Sequence, residues 1–182
     1  REMTDQLALD LVDKELVCDQ LTLTIGYDIE NLTDPQRRKN YHGPVDTDHY
    51  GRRIPRHGHG TANLPEPCSS TRRITQAVME LYDRIADREL LVRRINLTAA
   101  RVIPESRQDT QGREYIQLGL FAEQSQQARE AAALARAREK SRQQTVLRIK
   151  KRFGKNAIVK GMNLQEGATA MDRNRQIGGH KA

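Results

Sequence analysis

The chain has 182 residues, 36% of them hydrophobic and only 4% aromatic, with 30% charged and a formal net charge of +7. That supports one modest domain of roughly 100 residues with polar extensions, and no apolar run approaches the roughly 18 residues a membrane-spanning helix needs. The positive balance favours a polyanionic partner, nucleic acid before a membrane surface. Cys18 and Cys68 lack a CxxC spacing and read as two reduced thiols of a cytoplasmic protein. No secretory signal is visible. The opening Arg1-Glu2-Met3 reads as the middle of a helix, as in a cut chain.

Charge is unevenly spread. Residues 1–30 carry two basic and eight acidic side chains, whereas residues 129–160 carry eleven basic and two acidic. The positive field is therefore expected in the 31–60 region and in a C-terminal segment.

Residues 2–18 space Met3, Leu7, Leu11, Val12 and Leu16 as one face of an amphipathic helix. Residues 20–27 then alternate: Leu21, Leu23, Ile25 and Tyr27 point one way, and Gln20, Thr22 and Thr24 the other, a half-buried strand. Residues 28–56, with three prolines and six basic residues, read as a long basic loop with some extended structure; such loops are usually functional or mobile. Residues 57–64 predict a strand with Ala62 and Leu64 inward and His57, His59, Thr61 and Asn63 outward. LPEPCSS reads as a linker whose Ser70, or Thr71, caps the next helix. Residues 72–87 stripe Ile74, Val78, Leu81 and Ile85. Residues 90–99 return to strand, with Ile95, Leu97 and Ala99 on one face and Arg94, Asn96 and Thr98 on the other. Arg93 breaks the apolar side.

This order predicts an α+β fold: a small antiparallel or mixed sheet with two helices on one face, followed by a C-terminal helical extension. The opposite sheet face would be open and polar, displaying Thr22, Thr24, His57, His59, Thr61, Asn63, Arg94, Asn96 and Thr98 without a carboxylate. Such a face suits phosphate contacts; an ordinary solvated face is the alternative.

After residue 104 the chain turns polar. PESRQDTQGRE reads as a turn or hairpin. YIQLGLF, residues 115–121, is an isolated apolar run: either a peptide whose Leu and Phe fill a partner's pocket or an edge strand of the domain's own sheet. Residues 122–153 form a long basic helix with a weak apolar stripe, mobile or ordered by a partner. The tail from Gly154 has little core potential, and GGHKA is expected to be disordered.

Catalytic signals are weak. His57 and His59 share a face and could hold a metal, but no carboxylate or cysteine completes the set, so no metal site is expected. Asp10, Asp13 and Glu15 read as the solvated side of the first helix. There is no G-x-S-x-G, and Gly154-Lys155-Asn156 lacks the upstream glycine of a phosphate-binding loop.

LTLTIGYD, the stretch YHGPVDTDHYGRRIPRHGHGTANL, the helix ending LYDRI and the strand LLVRRINLTA together resemble the little-finger domain of Y-family (UmuC-like) translesion DNA polymerases. The ending KKRFGKNAIVKGMNLQEGATAMDRNRQIGGHKA resembles the tail of such proteins in Gram-positive bacteria. The resemblance implies a little-finger-like DNA-binding domain over residues 1–104. Residues 105–182 would then hold a clamp-binding peptide, a basic helix and a flexible tail.

It further implies DNA as partner, gripped along the primer–template backbone, in DNA repair and SOS mutagenesis at the nucleoid in the cytoplasm. The DNA contacts would come from Thr22, Thr24, His57, His59, Thr61, Asn63, Arg94 and Asn96, with attraction from Arg52, Arg53 and Arg56. The family's sliding-clamp peptide, of the form QLxLF, stands here as Gln117, Leu118, Gly119, Leu120 and Phe121. The palm and fingers are absent, so no polymerisation and no cofactor are expected of this chain; Mg2+ would belong to the parent's palm. The family's first strand is absent too, which leaves an edge for self-association. The alternatives are a clamp-binding regulatory protein that barely touches DNA and a small metalloenzyme using His57 and His59.

Overall fold

A computed structural model describes residues 1–107, 122–177 and 180–181. Its centre is a three-stranded antiparallel sheet of β1 (Leu16–Tyr27), β4 (Gly58–Cys68) and β5 (Val92–Pro104), in the order β4-β1-β5. Helices α1 (Glu2–Asp13) and α4 (Thr71–Ile85) cover one face. The α+β prediction with both helices on one side holds.

The core lies between them. Leu21, Leu23, Ile25 and Tyr27 of β1 meet Ala62, Leu64 and Cys68 of β4. Ala8 and Leu11 of α1 and Ile74, Val78 and Leu81 of α4 close it from above. Thr4 and Thr75 share a hydroxyl hydrogen bond of 2.8 Å that ties the two helices. Ser70 caps α4 by accepting from the Arg73 amide. Cys18 and Cys68 face each other across the ladder as free, buried thiols, and burial pushes the Cys18 thiol up to about 12.

Several boundaries differ from the sequence reading. The first helix ends at Asp13, not at residue 18. Glu15 takes a left-handed backbone at φ 53°, and Leu16, Val17 and Cys18 then ladder with Pro104, Ile103 and Val102. The Leu7–Leu11–Leu16 spacing imitates a helix because a strand starts one turn later. LPEPC is not a linker but the end of β4, reached through a bulge between Asn63 and Cys68.

The 28–56 stretch is ordered. It forms α2 (Glu30–Thr33), α3 (Pro35–Asn40) and a hairpin of β2 (Val45–Thr47) with β3 (Arg53–Pro55). Asn31, 1% exposed, donates to the carbonyls of Asp28 and Leu91 and accepts from the Leu91 amide. Tyr41 is buried and donates to the Pro44 carbonyl. Polar side chains replace the apolar periodicity that a sequence reading looks for.

The long helix, α5 (Ala122–Phe153), is docked rather than held only by a partner. Glu139 accepts from the Ser70 hydroxyl at 2.7 Å and the Arg72 amide at 3.1 Å. Gln143, 7% exposed, donates to the Ser69 carbonyl and the Thr71 hydroxyl. The tail folds back over α1: Glu2 accepts from the amides of Thr169 and Ala170 at the start of the short helix α6 (Ala170–Asn174). Gln176 and Ile177 pair with Lys181 and His180, so part of the expected disordered end is a short ladder. The acidic first helix and basic C-terminal region attract each other directly, through Lys151–Asp13, Lys160–Asp5 and Arg173–Glu2. Part of the positive field read from the sequence is spent inside the molecule.

Candidate nucleic-acid interface

The sheet face away from the helices carries the predicted polar residues in cross-strand rows. Thr61, Thr22 and Thr98 form one row; His59, Thr24 and Asn96 the next. Asn63 stands beside Gln20, and Arg94 beside Gly26. Strict alternation along β1 and β4 produces this: each core residue forces its neighbour to the other face.

The rows are pre-organised. Gln20 Nε2 donates to Asn63 Oδ1 at 3.0 Å. Thr24 Oγ1 and His59 Nδ1 share a 2.9 Å hydrogen bond, the donor set by the imidazole tautomer. Thr22 and Thr24 on the central strand are half-buried, while Thr61, Asn63, Arg94, Asn96 and Thr98 on the outer strands are exposed. Hydroxyls thus occupy the middle of the face, and amides, imidazole and guanidinium its margins.

Two glycines place this face. Gly58 and Gly60 point at α4, where a β-carbon on Gly58 would lie 2.6 Å from the Ile85 carbonyl oxygen and one on Gly60 2.9 Å from Leu81 Cδ1. The G-H-G-T-A-N-L pattern is thus a helix pressed on backbone on one side and a polar row on the other.

One feature corrects the sequence reading. The face does hold a carboxylate, Asp19, at the bulged end of β1. Arg101, left-handed at φ 49°, breaks the alternation of β5 and swings its guanidinium across the sheet. It donates to Asp19 Oδ1 at 2.7 Å and to Asn63 Oδ1 at 2.9 Å. The acid is neutralised in place. Ending the third strand at residue 99 hid this pair; extending it to Pro104 sets Arg101 opposite Asp19.

The basic loop residues are not equivalent. Arg52 is tied to Asp48 at 2.7 Å and lies over the Tyr50 ring. Its hydrogen bond holds the Asp48 carboxylate below the usual range. Arg56 pairs with Asp46 at 3.2 Å. Arg53, Arg93 and Arg94 have no ion pair to a described residue. The unpaired charge beside the face therefore belongs to Arg94 on β5, while the hairpin keeps Arg53 alone of its three arginines without an ion pair to a described residue.

His57 precedes β4, and its ring meets His59 edge-on with centroids 6.3 Å apart. Among the described residues, no three His, Cys, Asp or Glu are placed to hold a metal ion, and no helix is long and apolar enough to cross a membrane. Gln117, Leu118, Leu120 and Phe121 lie outside the described residues.

A family model described as the impB/mucB/samB family C-terminal domain matches residues 1–114. That stretch holds all three strands of the sheet, both covering helices and the whole polar face. No curated protein and no solved structure gave a match.

Proposed function

Because the chain belongs to the impB/mucB/samB family and carries its C-terminal domain, that of a Y-family, UmuC-like polymerase, we propose that its open sheet face grips the backbone of primer–template DNA during translesion synthesis. The observation that carries this is the row structure. Threonine hydroxyls, Asn63, Asn96 and His59 stand on one face whose single acid is neutralised, with Arg94 unpaired at its margin. Donors of this kind suit phosphate oxygens and carry no base sequence information. A protein that holds the backbone tolerates a damaged base.

Residues 1–104 are the DNA-holding unit in this reading. Polymerisation and its Mg2+ belong to the parent's palm, and we assign no cofactor to this chain. The site of action is the nucleoid, in the SOS response. Sliding-clamp docking rests on the sequence of Gln117, Leu118, Leu120 and Phe121 and on the exposure of residues 130–138 in the helix that follows. Self-association belongs to the outer edge of β5, which has no strand partner among the described residues and exposes Val92 and Val102.

The test is binding of a labelled primer–template duplex followed against salt. Affinity is expected to fall steeply, and Arg94→Gln to reduce the slope by about 0.9, the contribution of one phosphate contact. Weak, salt-insensitive binding would instead favour the clamp-bound regulator that barely touches DNA. The clamp reading is checked separately, by titrating the bacterial sliding clamp with wild type and with a Gln117, Leu120 and Phe121 to Ala variant. Binding by the first and a loss of tenfold or more, about 1.4 kcal/mol, in the second is the expected result. Equal binding would reassign the segment to the domain itself.

A further inference from the structure

Helix α5 sorts its cations into two sets. Three are paired with the domain, Arg136 with Glu66, Lys140 with Glu105 and Lys151 with Asp13, and Lys150 donates to the Lys155 carbonyl. Arg138, Arg142, Arg148 and Arg152 are exposed and have no ion pair to a described residue; Arg142 and Arg148 flank the helix beside the clefts it forms with the domain. Arg148 donates to the Thr145 hydroxyl, and Arg152 lies 5.1 Å from the ring of its neighbour Phe153. Phe153 ends the helix and is 66% exposed.

We propose that this exposed, unpaired set, Arg138, Arg142, Arg148 and Arg152 with Phe153 at its end, is a second nucleic-acid-binding surface that takes the backbone of a single strand. The helix is held because Glu139 and Gln143 anchor the turns of Arg138 and Arg142, and the Lys151–Asp13 pair the turn of Arg152. Arg138 and Arg142, like Arg148 and Arg152, are one helical turn apart, about 6 Å, and the whole set spans about 21 Å. That span covers several phosphates of one strand, and cations set along it can track that backbone without reading bases. Cationic side chains beside an exposed aromatic ring are the elements of a sequence-tolerant single-strand platform: charge tracks the backbone and the ring stacks a base.

A membrane surface fits less well. Ser141, Gln144 and Thr145 stand between the arginines, so the set has no apolar band to bury in a lipid interface. The surface lies on the helical side of the sheet, away from the polar rows, and its charge is independent of them.

The test uses the full 182-residue chain, with labelled oligo-dT, a duplex of equal length and anionic phospholipid vesicles as probes. Replacing the four arginines by Gln keeps helix propensity and every ion pair to the domain, and a thermal melt verifies the fold. The salt slope on oligo-dT is expected to fall by about 3, four phosphate contacts at 0.7 each. Phe153→Ala is expected to weaken oligo-dT binding about tenfold, within the range for one stacked base, with the slope unchanged. Arg94→Gln reads the sheet face separately. If the fourfold variant binds oligo-dT as wild type does, or wild type binds vesicles but not oligo-dT, the proposal is overturned. Loss in the Arg94 variant alone would sink this surface and leave the sheet-face reading standing.

Discussion

Asn31→Ala is expected to lower stability by about 2–4 kcal/mol, the penalty for emptying a buried, fully used polar site. The side chain is 1% exposed and acts as a surrogate strand, accepting from the Leu91 amide at 2.9 Å and donating to the Leu91 carbonyl at 3.0 Å. The carbonyl keeps a second donor, the Asp28 amide; the Leu91 amide keeps none among the described residues. Truncation therefore leaves a part-buried N–H without a partner among the described residues. Asn31→Asp is expected to do no better, because it loses the donor and sets a charge against two carbonyls. Thermal melts check both: at about 2–4 °C per kcal/mol for a chain of this size, the shift is roughly 10 °C. An unchanged melt would mean that solvent reaches Leu91. Leu91 leads into β5 three residues before Arg94, so DNA affinity should drop in the same variants. The loop is thus coupled to the face by one amide side chain.

Gly58→Ala is expected to cost about 1–3 kcal/mol, the usual range for overpacking a filled core. The new methyl would meet the Ile85 carbonyl oxygen at 2.6 Å, and backbone at the end of α4 cannot rotate away. Either the helix lifts or β4 bends. Gly60→Ala is the control, since its methyl would meet the end of the Leu81 side chain at 2.9 Å, which can change rotamer. Denaturant unfolding should rank the glycine at 58 as the more demanding position. The reverse ranking would contradict the close approach of helix and strand. Because His57 and His59 flank this residue, the variant should also weaken DNA binding more than it changes the salt slope.

The sheet and its polar face were legible because period-two alternation is a strong signal where one face is buried. Thr22, Thr24, Thr61, Asn63, Arg94, Asn96 and Thr98 all stand where alternation puts them. Strand ends were not legible. Leu16–Cys18 continued a helical spacing, and the Pro-Glu-Pro of β4 carried turn composition. The Arg101–Asp19 pair was hidden by a left-handed residue within a strand, which no alternation rule anticipates. The 28–56 region and α5 were underestimated for a shared reason. Asn31, Glu139 and Gln143 hold them with hydrogen bonds, and hydropathy does not register a polar anchor.

The position of β1 sets how the polar face can respond to a ligand. It is laddered on both sides, to β4 and to β5, so its amides open to solvent only when the domain itself unfolds. Hydrogen exchange at Thr22 and Thr24 should therefore report the global unfolding free energy. The outward amides of β5 belong to an edge and are expected to exchange through smaller openings, most readily beside the register shift at Gly26 and Tyr27. The middle of the face is fixed, and its charged margin can adjust to the path of whatever lies across it.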